Sequence, residues 1–337
     1  MTVSSQTQRD AGSRPTPPAV PGLSPSQPVD EATVVVDGIS KSFGSLTAVS
    51  DMSLTFGPGV TALLGPNGAG KSTLLRLMVG LEKPSTGTLR VVGGDPRASA
   101  EARGRIGLVP QQDGMFGRIT AMETVHLGAV LANVDNPIER SRAALDAVEL
   151  DPSIERPVQA FSKGMRQRVK VAQALVHDPD VILADEPLNG LDPRQRQHMI
   201  SLFGELGAQG KTVIVSSHIL EEVERFGSRV VVLAQGRLAA SGDFREIRSM
   251  MDNRLAHVRL VVSDARSVGA RLVAASLVSR VEVINDTTLE VRTADVRQFR
   301  VGLLSICNSL GATFSEITPM DDDLESVFRY LVARGSR

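Results

Sequence analysis

A chain of 337 residues, 42% of them hydrophobic, is long enough for two cored domains and a tail. Its formal net charge of −1 disfavours general adhesion to nucleic acid or anionic lipid, and one cysteine excludes an internal disulfide framework and fits a reducing compartment. Residues 1–30 hold no secretory h-region, and no uninterrupted apolar run approaches the roughly 18 residues of a membrane span. Service to a membrane is therefore expected from the cytoplasmic side, through a partner.

In chain order, residues 1–30 are rich in Pro, Ser and Thr and nearly empty of large apolar residues, so a disordered tail is expected. Over 31–245, apolar strands alternate with helical patterns, which predicts an α/β body. Within it "VTALL" (60–64) reads as a buried strand, followed by "GPNGAGKST" (65–73) and the helical "LLRLMVG". This is G-x-x-x-x-G-K-[ST] in its strand–loop–helix setting. Its glycines let backbone amides approach phosphate, Lys71 supplies a cation for the β and γ phosphates, and Ser72 is a Mg²⁺ ligand.

"FSKGMRQRV" (161–169) begins a second helix, with Met165, Val169, Ala172 and Val176 along one apolar face. Ser162 is placed as its N-cap, but Met165 at the N3 position completes no capping box. Lys163 and Arg166 in a first turn oppose the helix dipole, which suggests that an anion is met there. "DVILADEP" (180–187) is an apolar strand ending in two acids. Asp185 stands where a Mg²⁺-holding carboxylate belongs, and Glu186 beside it is a candidate general base. "KTVIVSSH" (211–218) repeats the pattern and places His218 at the mouth of the same sheet. His126, His177, His198 and His257 are read as structural.

A linker over 246–255 precedes a second pattern over 256–337. "HVRLVV" is a strand, "DARSVGARLVAASL" a helix, and "VSRVEVIND" and "TTLEVRT" are strands joined at Asp286. A helix ending at Gly311, the strand "ATFSEIT" and a closing helix "DDDLESVFRYLV" follow. The order β-α-β-β-α-β is the split βαβ, ferredoxin-like arrangement. Its middle strands lack the exposed aromatics that an RNA-binding version needs, so a regulatory or dimer-contact module is expected, with Cys307 as a core thiol.

Phosphate loop, "FSKGMRQR", "VILADEP", "NGLD" and "SSH" in this order resemble the ATP-binding subunit of an ABC transporter over roughly residues 33–244. The resemblance implies a P-loop ATPase fold with a mixed sheet core and a helical subdomain, binding ATP and Mg²⁺. It implies that Gly65, Asn67, Gly68, Gly70, Lys71, Ser72 and Thr73 belong to the nucleotide loop, that Asp185 is the metal carboxylate and Glu186 the catalytic base. Gln111 matches the glutamine that senses Mg²⁺ and water and faces the membrane partner. Asp192 matches the loop that contacts the opposite subunit, and Phe43 the aromatic that stacks on adenine.

The usual Leu-Ser-Gly-Gly-Gln signature reads Phe161-Ser162-Lys163-Gly164-Met165, keeping the hydroxyl and close-approach positions. By the same resemblance the signature of one subunit covers the γ-phosphate held by another. The implied partners are a second copy and an integral permease, with no nucleic acid, at the cytoplasmic face of the membrane. Lys-Gly-Met together with a small C-terminal domain resembles the branch that exports drugs, polysaccharides or peptides. Met115 and Phe116, apolar beside Gln111, are placed either to touch the permease or to pack locally. The alternatives are an ABC ATPase acting on nucleic acid or ribosomes, and a sensor working through the C-terminal domain.

Overall fold

The computed structural model describes residues 32–112, 114, 117–226, 229–244 and 256–320. The expected tail, the linker, Met115, Phe116 and the closing helix lie outside the described residues. No helix among the described residues is long and apolar enough to cross a membrane.

An antiparallel sheet of three strands opens the fold, with β1 (Val34–Phe43) between β2 (Leu46–Phe56) and β4 (Thr86–Val91). The second sheet carries the chemistry. It comprises β3 (Gly59–Leu64), β5 (Ile106–Val109), β6 (Val181–Asp185), β7 (Thr212–Ser217), β8 (Arg229–Ala234) and β9 (Arg237–Asp243). Their order is β5-β6-β7-β3-β8-β9, parallel except for β9 against β8. Every residue of β6 and of β7 is buried, as central parallel strands covered on both faces require.

Helices α1 (Lys71–Met78), α2 (Ala100–Gly104), α3 (Ala121–Leu131), α4 (Pro137–Ala147), α5 (Lys163–Leu175), α6 (Pro193–Ala208) and α7 (Leu220–Phe226) complete this body. Two cores result. One joins the three-stranded sheet to α1 through Phe56, Leu74, Leu75 and Met78. The other packs α3, α4 and α5 around Val125, Leu145, Val169 and Ala172. The face expected of α5 is the one that is buried: Val169 and Ala172 are fully covered and Met165 is partly so.

Residues 256–319 form a four-stranded antiparallel sheet of β10 (Ala256–Val262), β11 (Arg280–Val283), β12 (Thr288–Thr293) and β13 (Phe314–Pro319), with α8 (Ala265–Ala274) and α9 (Val296–Leu310). The strand order β11-β12-β10-β13 is that of the split βαβ arrangement read from the sequence. Leu260, Leu272, Leu289, Phe299 and Cys307 share its core, and burial raises the thiol's pKa. Gly311 ends α9 in the left-handed conformation (φ 63°). Helix α8 stops three residues short of the apolar pattern, because Ser276 turns at φ +54° and the Leu277 amide folds back on the Leu272 carbonyl.

Candidate nucleotide site

Strand β3 delivers the chain into the phosphate loop at Gly65, and α1 leaves it at Lys71. Gly70, the N-cap residue of α1, has φ +101°, and a Cβ there would stand 2.5 Å from the Ala48 carbonyl oxygen, so only glycine fits. No side chain caps α1 and its first turn holds no acid, which leaves its amides and positive dipole end for an anion. Asn67 and Gly68 are exposed at the tip of the loop, and Ser72 and Thr73 are half-buried on the first turn of α1.

Lys71 turns back under the loop, donating to the Gly65 carbonyl at 2.6 Å and the Pro66 carbonyl at 3.2 Å. Its side chain is 5% exposed, and burial lowers its pKa, with Glu186 and then Asp185 pulling the other way. Three buried charges thus meet here: one ammonium and two carboxylates, Asp185 and Glu186.

Parallel pairing sets these acids in place. Ser216 of β7 lies opposite Asp185 of β6, and its hydroxyl donates to Asp185 Oδ1 at 2.7 Å. The Ser216 hydroxyl oxygen in turn accepts the Glu186 amide at 2.8 Å. Glu186 has φ +50°, a conformation that costs a non-glycine residue of order 1–3 kcal/mol and is held by its surroundings. Its Oε1 lies 3.1 Å from His218 Nδ1 and 4.0 Å from Lys71 Nζ, while Oε2 accepts from Asn189 Nδ2 at 2.5 Å. The structure therefore brings together Lys71, Asp185, Glu186 and His218, all named from the sequence, and adds Ser216 and Asn189.

Gln111 is exposed beyond β5, and its carbonyl and that of Pro110 accept from Lys170 of α5 at 3.3 and 3.0 Å. Phe43 ends β1 and is 45% exposed, with the Lys41 ammonium over its ring, 4.7 Å from the centroid. Asp192 caps α6, accepting the Gln195 amide at 2.9 Å.

The Ser162 hydroxyl accepts the Met165 amide at 3.1 Å, so the N-cap reading of α5 holds without a capping box. A Cβ on Gly164 would meet the Gly190 carbonyl oxygen at 2.8 Å, and one on Gly190 would meet the Lys163 stem at 2.7 Å. Lys163 and Gly164 therefore pack tightly on Gly190 and Leu191 of the same chain. Arg166 and Arg168 point elsewhere: Arg166 donates to the Phe161 carbonyl at 2.6 Å and Arg168 to the Glu149 carbonyl at 2.6 Å. Of the other histidines, His177 and His198 meet the backbone carbonyls of Ile106 and Ala147. His257 pairs with Glu290 at 2.9 Å.

An uncapped helix start beside a buried ammonium fits phosphate, and two buried carboxylates against that one ammonium fit a divalent cation. Among the described residues no group of three or more His, Cys, Asp or Glu side chains could hold a metal ion by itself. The donors therefore suit Mg²⁺ bound through one or two protein groups with phosphate and water supplying the rest. Fold and site together define a P-loop nucleotide hydrolase.

The comparisons carry this further. The family model described as "ABC transporter" matches residues 49–189. "Nod factor export ATP-binding protein I" of Sinorhizobium fredii is 32% identical over 316 residues, covering 92% of this chain and 88% of the relative. Its namesake in Paraburkholderia xenovorans is 37% identical over 226 residues, 63% of this chain and 71% of the relative. A dimeric bacterial ABC transporter cassette superposes with a TM-score of 0.59 at 27% identity, covering 63% of this chain and 99% of that one. A cassette in a post-hydrolysis state bound to ADP and Pi gives 0.58 at 28% identity, over 63% of this chain and 99% of that one. This chain belongs to the ABC transporter family, as an ATP-binding subunit. It is an ATPase, with ATP and Mg²⁺ as its cofactors.

Proposed function

We propose that this subunit pairs with a second copy around two ATP molecules and drives a separate permease that exports its cargo. Residues 31–245 form the motor and residues 256–337 a regulatory or dimer-contact module. The names of the relatives support export, and the arrangement around Glu186 supports the chemistry. In this reading Lys71 and the amides of residues 65–73 bind the β and γ phosphates, Phe43 stacks on adenine, and Ser72, Asp185 and Gln111 would hold the metal. Bound Mg²⁺ would neutralise charge on the transferring phosphoryl group. Glu186 orients the attacking water and takes its proton, and His218, on the same carboxylate, holds that base in line.

Ser162, Lys163 and Gly164 present a hydroxyl, a cation and an open amide to the γ-phosphate of the second subunit, with Asp192 at the same seam. Each chain then carries two half-sites, and ATP joins them. Charge-assisted hydrogen bonds of roughly 1.5–3 kcal/mol each hold the pair until hydrolysis removes the bridging phosphate. Opening and closing bias the permease between two states at the cytoplasmic face of the membrane.

The observation that carries the reading is the buried Glu186 held between His218, Asn189 and Lys71. The Glu186→Gln variant is expected to bind ATP normally, to hydrolyse it about 10²–10⁴-fold more slowly, and to sediment as a dimer with ATP. Hydrolysis at the unsubstituted rate would overturn the assignment.

A further inference from the structure

Behind His218 lies a buried polar group that the proposed chemistry does not use. Ser217 donates its hydroxyl proton to Glu222 Oε2 at 2.6 Å, while its oxygen accepts the Ile219 amide at 3.0 Å. One hydroxyl thus closes a turn around His218, and its direction is fixed by Glu222. Glu222 is on α7, 6% exposed, and its other oxygen faces Arg196 Nη1 at 3.5 Å. Arg196 sits on the first turn of α6, its amide bonded to the Asp192 carbonyl at 2.8 Å.

The pair is incompletely closed. Glu222 Oε1 and Arg196 Nε, the atoms that side-on pairing of a guanidinium with a carboxylate would join, are both buried without a hydrogen bond. Leaving such atoms unmatched is costly, so an arrangement that drew α6 and α7 slightly together would be favoured by both.

We propose that Glu222 is a positioning residue for His218, and that through Arg196 it ties the histidine's turn to the start of α6, where Asp192 lies. The carboxylate aligns Ser217, Ser217 shapes the turn, and the turn aims His218 Nδ1 at Glu186. A shift of the Asp192 loop reaches Arg196 one turn later and bears on the same carboxylate. This inference rests on the reading that Glu186 and His218 serve hydrolysis and that Asp192 faces a second subunit.

Glu222→Gln keeps the volume but offers one acceptor oxygen where the carboxylate has two, so it cannot serve Ser217 and Arg196 together, and it removes the charge facing Arg196. In the full chain with the permease, we expect kcat to fall about ten- to a hundredfold, KM for ATP to change little, and sigmoidal dependence on ATP to flatten. Ser217→Ala should show the same fall in kcat with ATP affinity kept. Combining Glu222→Gln with Arg196→Met should add nothing beyond Glu222→Gln alone, since both break one link.

Wild-type kcat and cooperativity in Glu222→Gln would overturn the proposal. So would a loss matched by a lower fraction of folded protein in thermal melts, or full activity in Ser217→Ala should the glutamine variant fail to fold. Glu186→Gln measured alongside separates the two claims. If it hydrolyses ATP normally, the reading of the site has failed. If it is inactive while Glu222→Gln is normal, only the positioning role has failed.

Discussion

Ser162 performs two tasks in this reading, and they can be pulled apart. As N-cap of α5 its hydroxyl satisfies the Met165 amide, and replacing it with alanine costs about 1 kcal/mol. For a body of this size that lowers the melting temperature by about 2–4 °C. Aspartate caps as well as serine, and its charge at the N-terminus of α5, whose first turn holds no acid, adds about 0.3–1 kcal/mol. Ser162→Asp should therefore melt at or above the unsubstituted protein. Hydrolysis should run the other way. Alanine removes one hydrogen bond to a charged group, about 1.5–3 kcal/mol. Aspartate sets a negative charge against the γ-phosphate, about 4 kcal/mol at 4 Å with an effective dielectric of 20, or about a thousandfold in rate. Differential scanning fluorimetry and steady-state ATPase assays on the three proteins test this. If Ser162→Asp hydrolyses ATP as fast as Ser162→Ala, no γ-phosphate approaches this residue and the shared-site reading of α5 falls.

Three further outcomes are expected. Gly70→Ala must place a Cβ 2.5 Å from the Ala48 carbonyl at φ +101°, so it should lose about 1–3 kcal/mol of stability in denaturant titrations and most of its ATP affinity. Burial holds the pKa of Lys71 below that of a free lysine, so the unfolded chain binds the extra proton and stability rises with pH between the folded value and 10.5. Bound phosphate reverses that depression, so ATP binding at alkaline pH below 10.5 should take up protons. Calorimetry in buffers of different ionisation enthalpy detects the uptake, which Lys71→Met should abolish. In the C-terminal sheet, Arg259 and then His257 hold the Glu290 carboxyl below its usual pKa of 4.5. Its contribution is complete above that value and fades as pH falls through the folded one. Glu290→Gln should therefore lower the melting temperature at neutral pH and narrow its drop on acidification.

Much of this was legible because contiguous residues carry it. The phosphate loop must spell out its glycines, lysine and serine in order, and the strand ends at Asp185 and Ser217 announce themselves by apolar runs that stop. The C-terminal order of elements followed from periodicity and from glycine at position 311. Ser216 and Asn189 were not legible as site residues, since register between β6 and β7 and the turn after Glu186 bring them in, and single residues carry no mark of either. Arg166 is a different case. Its charge in the first turn suggests an anion, and its guanidinium donates to the Phe161 carbonyl. The end of α8 was obscured because Leu277 continues the apolar pattern after the backbone has turned at Ser276.

Lys170 has a consequence of its own. Its buried ammonium grips the carbonyls of Pro110 and Gln111 from the middle of α5, seven residues beyond the helix's first residue, Lys163. A rigid helix fastened in this way behaves as a lever. The strand end that would report on a subunit's own nucleotide and the serine it would lend to its neighbour's are both fastened to one stiff part, one at its middle and one at its start. In the proposed pair, news of an occupied site would need no long relay to cross, because the part that would feel the nucleotide is the part that would be lent.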